Sequence, residues 1–393
     1  MADIFRQYGH LLGPLNRAEQ RVVNAITACR TAALGGNLYQ CDSCGHSEQS
    51  YNSCRNRHCV KCQFAAKREW VEDRAKELLP VPYYHVVFTI PHEFNELVLT
   101  NKKLIYNTLF KASSRAVKEV FRRRYKADPG MISVLHTWGQ MLTLHPHIHM
   151  IIPSGGLDSK HGKWIAADEA FFLNVRALSR VFRAKFVKIL RKEYLRGSLT
   201  FLDVNRHIED CTTFYNLIDS TFKNDWNVYA KRPFHNALSV LKYLGGYTHR
   251  IAFANHRLIS FDENHVTFRI KDRAAQKVGA QGAKTATLST KEFMRRFLMH
   301  VLPRGLQRIR HFGFLGSSCK EKSLTLARSL LPERTTSNSQ SVAEMVVEFS
   351  ASQSVSTDQC VSCKQGTMHP VPFLLPFGPS PELHIEQGVS NSS

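Results

Sequence analysis

Between residues 41 and 62 the chain reads CDSCGHSEQSYNSCRNRHCVKC, and this short stretch holds five of its ten cysteines. Cys41 and Cys44, and again Cys59 and Cys62, are separated by two residues, the spacing at which two tight turns each offer two thiolates to one tetrahedral ion. In a reducing compartment such clustering reads as metal binding rather than disulfides. The expectation is a structural zinc site on Cys41, Cys44, Cys59 and Cys62. Cys54, His58 and His46 lie between the pairs, so the stretch offers more ligands than one zinc needs, and one or two zinc ions both stay open. A site closed by four ligands has no position for substrate, so its role is to fold a small module. That module would present Arg55, Arg57, Lys61, Lys67 and Arg68 to a polyanion. Far downstream, Cys360 and Cys363 repeat the gap once, with His369 nearby, which is either an unpaired remnant or a small metal knuckle.

The polyanion follows from charge. Lysine and arginine number 53 against 32 acidic residues, a net charge of +21. Nucleic acid is the first candidate partner, because each phosphate neutralised releases counterions. No apolar run reaches the roughly 18 residues of a membrane span, and the opening MADIFRQYGHLLGPL lacks a signal peptide's apolar core. The expected location is the cytoplasm, with no membrane partner. Beyond about residue 335 the chain turns rich in Ser and Pro. Lys364 is the lone basic residue there against Glu344, Glu348, Asp358, Glu382 and Glu386. That leaves −4 in this part and +25 in the rest of the chain, so the polyanion surface lies upstream. Residues 316–393 are expected to form a largely disordered C-terminal tail.

Upstream, residues 1–80 read as a helical lead-in, the cysteine module and a charged helix (KREWVEDRAKELL) stopped at Pro80. Residues 81–315 begin with the strand-like VPYYHVVFTIP and the basic helix KKLIYNTLFKASSRAVKEVFRRRYKADPG. MISVLHTWGQML and HIHMIIP follow as a hairpin, and NVRALSRVFRAKFVKILRKEYLRG as a helix with Leu178, Val181, Phe182, Phe186, Ile189 and Leu190 on its apolar face. ALSVLKYLGGYTHRI reads as helical, ISFDENHVTFRIKD as a hairpin and LSTKEFMRRFLMHVL as a capped helix. Hairpins mixed with crossing helices make an α+β domain.

Two constellations carry chemistry. On a strand, His147 and His149 point to one face while Ile148, Met150 and Ile152 point to the other, so one face is a metal site and the other is core. Pro146 cannot donate to a ladder, so the strand is expected to begin at His147, leaving His145 the weaker ligand. A turn about Leu144 and His145 would bring Gln140 opposite His149, making Gln140 the first candidate for a third ligand and His136 the second. Tyr243 and Tyr247, at i and i+4, share a helical face if the helix survives Gly245 and Gly246. A tyrosine of pKa near ~10 is a poor nucleophile, but a metal that polarises a phosphate makes its attack feasible. Each constellation taken alone also reads as packing.

Together the CDSCGH and SCRNRHCVKC segments, the strand YHVVFTIPHE, HIH within LHPHIHMIIPSGG, and YLGGYTHR followed by RIRHFGFLG span most of the chain. In this order they resemble the HUH-superfamily rolling-circle transposases of insertion sequences, most closely the IS91 type. The resemblance implies an endonuclease and strand transferase acting on single-stranded DNA at element ends. It implies a 5′-phosphotyrosine link on Tyr247, Tyr243 or both, with Tyr247 favoured if one acts. It further implies a ferredoxin-like palm with an antiparallel sheet, and Mg²⁺ or Mn²⁺ held at the histidines. A plasmid replication initiator or relaxase of the same superfamily, or a non-catalytic zinc-containing DNA-binding regulator, are the rival readings. There is no G-x4-G-K-[ST] segment, so strand displacement would fall to host helicase or replication proteins.

Overall fold

The first core forms from two short helices, α1 (Ala2–Tyr8) and α2 (Arg17–Ala28). Asn16 starts α2 with a capping box: its side chain accepts the N–H groups of Ala18 and Glu19 at 3.0 Å, and Glu19 reaches back to its backbone N–H at 3.3 Å. The chain then makes the hairpin β1 (Gly36–Cys41) and β2 (Ser47–Tyr51), crosses the cysteine stretch and enters α3 (Cys62–Ala75). This computed structural model describes residues 1–168, 173–234, 240, 245, 252–272, 283–331 and 359–375.

Strand β3 (Tyr83–Thr89) opens the next region, followed by α4 (Asn95–Thr100) and the long α5 (Lys102–Tyr125). Next come β4 (Asp128–Trp138), β5 (Leu144–Pro153), β6 (Gly155–Asp158) and β7 (Lys163–Ala166). Helices α6 (Val175–Leu195) and α7 (Cys211–Ser220) lead to β8 (Val228–Phe234). A three-stranded meander, β9 (Leu258–Phe261), β10 (His265–Lys271) and β11 (Ala283–Ser289), runs into α8 (Thr290–Met299), whose N-cap is Ser289. The last elements are β12 (Ile309–Gly313), α9 (Lys320–Leu330) and β13 (Met368–Leu375).

The large sheet runs β7-β6-β4-β5-β3-β8, with β12 also on β4, and its pairings are antiparallel. Alternation along β5 decides its two faces. Ile148, Met150 and Ile152 join Val86 and Phe88 of β3 and Leu135 of β4 in a core closed by α5 and α6, through Phe110, Phe121, Phe182 and Phe186. The opposite face carries His147, His149 and Ile151, with His136, Val134 and Ile132 across on β4. One end of that face is covered by Val71 and Ala75 of α3, Leu78 and Val240, which are buried with Tyr83 and Ile151. α9 adds Leu324 and Ala327 over Ile132 and Phe314.

The structure corrects three expectations. β5 begins at Leu144 rather than His147 and passes through Pro146. Trp138 pairs with Leu144 and His136 with His147, so three steps on β5 face two on β4. This bulge takes up Pro146 where a ladder N–H is not required. The hairpin therefore turns at residues 139–143, closed by Gly139 N–H donating to Thr143 O at 2.9 Å, and Val134 rather than Gln140 lies opposite His149. Finally, the region expected to be a disordered tail contains α9 and β13: Leu324 and Ala327, three apart, bury one helical face, and β13 adds to the free edge of β1. The tail's average composition concealed these two short ordered pieces. The N-terminal helices also share one core with residues far downstream, since Ile4, Phe5, Val23 and Ile26 pack with Phe253, Phe268, Phe293 and Phe297.

Candidate metal centres

The paired cysteines do not meet one another. Cys59 and Cys62 close on Cys54 and on Cys29, the residue that ends α2, while Cys41 and Cys44 close on Cys360 and Cys363. The expected set of Cys41, Cys44, Cys59 and Cys62 is thus divided between two clusters, because the β1–β2 hairpin and α3 carry the two pairs apart. In the first, Cys62 Sγ lies 3.5 Å from Cys29 Sγ and 3.6 Å from Cys54 Sγ. In the second, Cys41 and Cys363 are 3.8 Å apart and Cys44 and Cys360 3.6 Å. A tetrahedron of Zn–S bonds near 2.3 Å separates its sulfurs by about 3.8 Å, so both clusters fit the ion. All ten cysteines are free thiols. Donation from the Cys54 thiol holds Cys59 down to about 5, and the backbone N–H groups of Gly366 and Gln365 hold Cys363 down to about 6. Each cluster thus has one thiol that ionises readily to the form that binds metal, while its neighbours Cys29 and Cys44 are pushed up to about 11 and about 12.

His46 and His58 stay outside both clusters. Buried His58 accepts the Leu302 N–H at Nε2, 3.1 Å away, and burial pushes its pKa down to about 3. Its neighbour Arg57 donates to the carbonyls of Leu302, Pro303 and Leu306 at 3.1, 2.7 and 2.6 Å. That guanidinium fastens the cysteine stretch to residues 302–306 and has little left for phosphate. Arg55 and Lys61 are exposed. Lys67 and Arg68 fall on α3, and their side chains lie outside the described ones.

On the large sheet, ligand nitrogens of His136, His147 and His149 lie within 4.8 Å of one another. The strands β4 and β5 bring them together, His136 standing directly across from His147. His147 Nε2 and His149 Nε2 are 3.1 Å apart. Each imidazole is fixed from behind: His147 Nδ1–H donates to the His145 carbonyl at 2.7 Å, and His149 Nδ1 meets His85 Nε2 at 2.9 Å. A hydrogen-bonded Nδ1 with a free Nε2 lone pair is the arrangement that metal-binding histidines use. Burial holds His147 at a pKa of about 4, so its lone pair is available at neutral pH. His136 also stacks on Trp138, ring centres 4.6 Å apart. His136, the second candidate, occupies the third position. Gln140, the first, is engaged elsewhere: its Oε1 accepts the Lys271 N–H at 2.6 Å and its carbonyl accepts from Arg257 at 2.7 Å.

Tyr243 and Tyr247 lie outside the described residues. Two functional positions escaped the sequence reading. Cys29 is a single cysteine 12 residues before Cys41, with no spacing to mark it. His85 lay within YHVVFTIP, and strand alternation from that segment would have placed it on a face with Tyr83 and Val87.

A family model described as "Transposase zinc-binding domain" matches residues 1–90, and one described as "Putative transposase" matches residues 130–323. The first range contains all four cysteines of the Cys29 cluster but only half of the other. The chain is 42% identical over 376 residues to "Putative transposase y4qJ" of Sinorhizobium fredii (strain NBRC 101917 / NGR234), covering 94% of each. It is 28% identical over 319 residues to the transposase for insertion sequence element IS801 of Pseudomonas savastanoi pv. phaseolicola, covering 79% of this chain and 74% of that one. No solved structure matches. No helix among the described residues is long and apolar enough to cross a membrane. With both family models matched in order and one relative similar along nearly its whole length, the chain belongs to the IS91-type insertion-sequence transposases with an N-terminal zinc-binding domain.

Proposed function

We propose that this transposase nicks and rejoins single-stranded DNA at the ends of an insertion sequence through a 5′-phosphotyrosine intermediate, its antiparallel sheet serving as the palm of an HUH endonuclease. The convergence of His136, His147 and His149 carries this reading. Three protein ligands leave coordination positions for a phosphate, unlike the four-cysteine clusters. The three histidines would hold a divalent ion, which would supply positive charge at the scissile phosphate. The donor set is all imidazole, whereas Mg²⁺ prefers oxygen ligands, so Mn²⁺ is the better fit of the two.

Tyr247 is the favoured nucleophile, with Tyr243 its partner or alternate. Its phenolic oxygen forms the bond to phosphorus as the bond to the 3′ oxygen breaks; the phenol loses its proton and the 3′ oxygen gains one. A 5′-phosphotyrosine and a free 3′-OH result, and attack by another 3′-OH reverses the step to rejoin a strand. Support comes from Val240, helical and fully buried with Ile151 and Tyr83 on the histidine-bearing face. In the sequence Tyr243 and Tyr247 follow Val240 by three and seven residues, a spacing that would share its face on a helix. DNA would be held by the basic surface, including Arg55 and Lys61. Tyr229, 55% exposed on β8, pairs with Val87, itself opposite His149, and so offers a ring for base stacking on that face. Strand displacement would need host helicase or replication proteins.

Full-length protein incubated with element-end single strands and Mn²⁺ should yield a covalent adduct that survives denaturant. Tyr247→Phe should keep metal and DNA binding yet lose the adduct. A Tyr243→Phe, Tyr247→Phe double variant that still forms a 5′-linked product rules out the tyrosine assignment, and a parent that never forms one favours the non-catalytic regulator.

A further inference from the structure

The cluster of Cys41, Cys44, Cys360 and Cys363 is unexplained by catalysis, and half of it lies far beyond the matched zinc-binding region. We propose that it is a second structural zinc site, completed by the C-terminal segment, and that the zinc clasps this segment to the N-terminal hairpin.

Geometry supports a built site. Strand β13 pairs antiparallel with β1 from Gly36↔Leu375 to Cys41↔Met368, giving the sheet order β13-β1-β2. Asp42 ties the two segments at its own position: its N–H donates to Thr367 O at 3.1 Å, and its carboxylate accepts the Thr367 N–H at 2.9 Å. Gly366 N–H donates to Cys363 Sγ at 3.3 Å. A Cβ on Gly366 would stand 2.4 Å from Cys41 Sγ and 2.6 Å from Asp42 Oδ1, so this knuckle closes only around glycine.

Energetics supply the need for an ion. Among the described side chains the buried apolar ones here are Cys41, Cys360 and Met368, with Tyr39 and Cys363 partly buried against them. β2 is exposed along nearly its whole length. Holding together segments more than 300 residues apart has a loop-closure cost that something besides these few side chains must help to offset. Four thiolates around zinc can, as in small domains folded by their metal.

Zinc content of full-length protein, read after brief exposure to a weak chelator, provides the test. Cys360→Ser with Cys363→Ser should lower it by about one zinc per chain. Cys41→Ser with Cys44→Ser should lower it equally, and the quadruple variant no further, because both halves serve one ion. Limited proteolysis should then cut residues 359–375 that are protected in the parent. Gly366→Val, which leaves every thiol in place, should weaken retention of the same zinc. Unchanged zinc in the Cys360, Cys363 variant, additive losses in the quadruple, or an intact mass showing Cys41–Cys363 and Cys44–Cys360 disulfides would each overturn the proposal.

Discussion

Around Cys41, Cys44, Cys360 and Cys363 the buried apolar side chains among the described ones are two of the thiols and Met368, whereas the strands bearing His136, His147 and His149 lie over a core that includes Phe88, Phe110, Phe121, Phe182 and Phe186. Among the described residues the cysteine clusters have four soft ligands, which fill a tetrahedral ion, whereas the histidine cluster has three, so an ion held there would keep a position for a further ligand. The contrast separates two uses of a metal. Where burial is thin, the ion supplies the fold. Where burial is ample, the fold supplies the ion's site, and chemistry can be placed there without risk to the structure. The Cys29 cluster stands between the extremes, since Cys29 and Cys59 are part of the phenylalanine-rich core shared by α1, α2 and α8.

The largest effect should come from the centre that matters least to folding. His149→Ala should abolish adduct formation while far-ultraviolet circular dichroism and single-stranded DNA binding stay close to those of the parent. A variant that unfolds at the parent's working temperature would break the comparison. Cys59→Ser should do the reverse in part. It should release about one zinc per chain and destabilise the protein by several kcal/mol, a fraction of the ~10 kcal/mol or more that zinc contributes to small metal-folded domains. Hydrogen exchange is the sharper measurement: amides of α1, α2 and α8 should exchange faster while those of β4 and β5 keep their protection. Equal loss in both regions would mean that the module and the sheet unfold as one unit.

How much of this was legible in the sequence depends on the range over which each signal acts. The alternation in HIHMIIP is local, and it placed the histidines on one face and the core residues on the other. The two-residue gaps identified the cysteine pairs, but which pairs meet is a matter of topology. Cys29 approaches Cys62 because α2 ends beside the start of α3, and Cys363 approaches Cys41 because β13 joins the edge of β1. No local pattern encodes either meeting. His136 ranks only second as a third ligand because of register: a turn about Leu144 and His145 puts Gln140 opposite His149, whereas a bulge absorbs Pro146, moves the turn to residues 139–143 and puts Val134, six residues earlier, in that place. Arg57 looked like a phosphate ligand by its neighbours, and only the fold shows three carbonyls around it.

The junction between the two regions should respond to acid. His300, just beyond α8, donates from Nε2 to the Leu142 carbonyl at 3.0 Å and holds the Thr137 hydroxyl at Nδ1, 3.1 Å away. It thereby pins the histidine-bearing hairpin to the core of the cysteine module. Burial pushes its pKa down from 6.5 to about 4, so the folded state holds it neutral. As pH falls below about 6.5 the unfolded chain takes up this proton first; stability is therefore complete above that value and declines towards the folded pKa, by on the order of 3 kcal/mol across the window. Denaturant unfolding at about pH 7 and about pH 5 should show a shallower decline in His300→Asn than in the parent. The comparison of slopes removes the cost of the substitution itself and any zinc released by acid in both proteins. Identical slopes would mean that His300 is solvated in the native state.

The smallest effect belongs to His85, which would not touch the metal. For His149 to offer its Nε2 lone pair, its Nδ1 must carry the proton, and the acceptor in place for that proton is His85 Nε2 at 2.9 Å. The two rings lie edge to edge and nearly coplanar, centres 5.1 Å apart and 9° from parallel, so the hydrogen bond also limits rotation of the ligand ring. His85→Ala leaves three ligands intact and removes only their support. Losing such a partner weakens metal binding about 10–100-fold, roughly 1.4–2.7 kcal/mol. Calorimetric titration with Mn²⁺ should show that loss, and His85→Gln, whose side-chain carbonyl can still accept the proton, should recover part of it. A merely packing role predicts no rescue by glutamine and no change in affinity once the variant is folded. Unaltered Mn²⁺ binding in His85→Ala would therefore place the control of His149 elsewhere on the sheet.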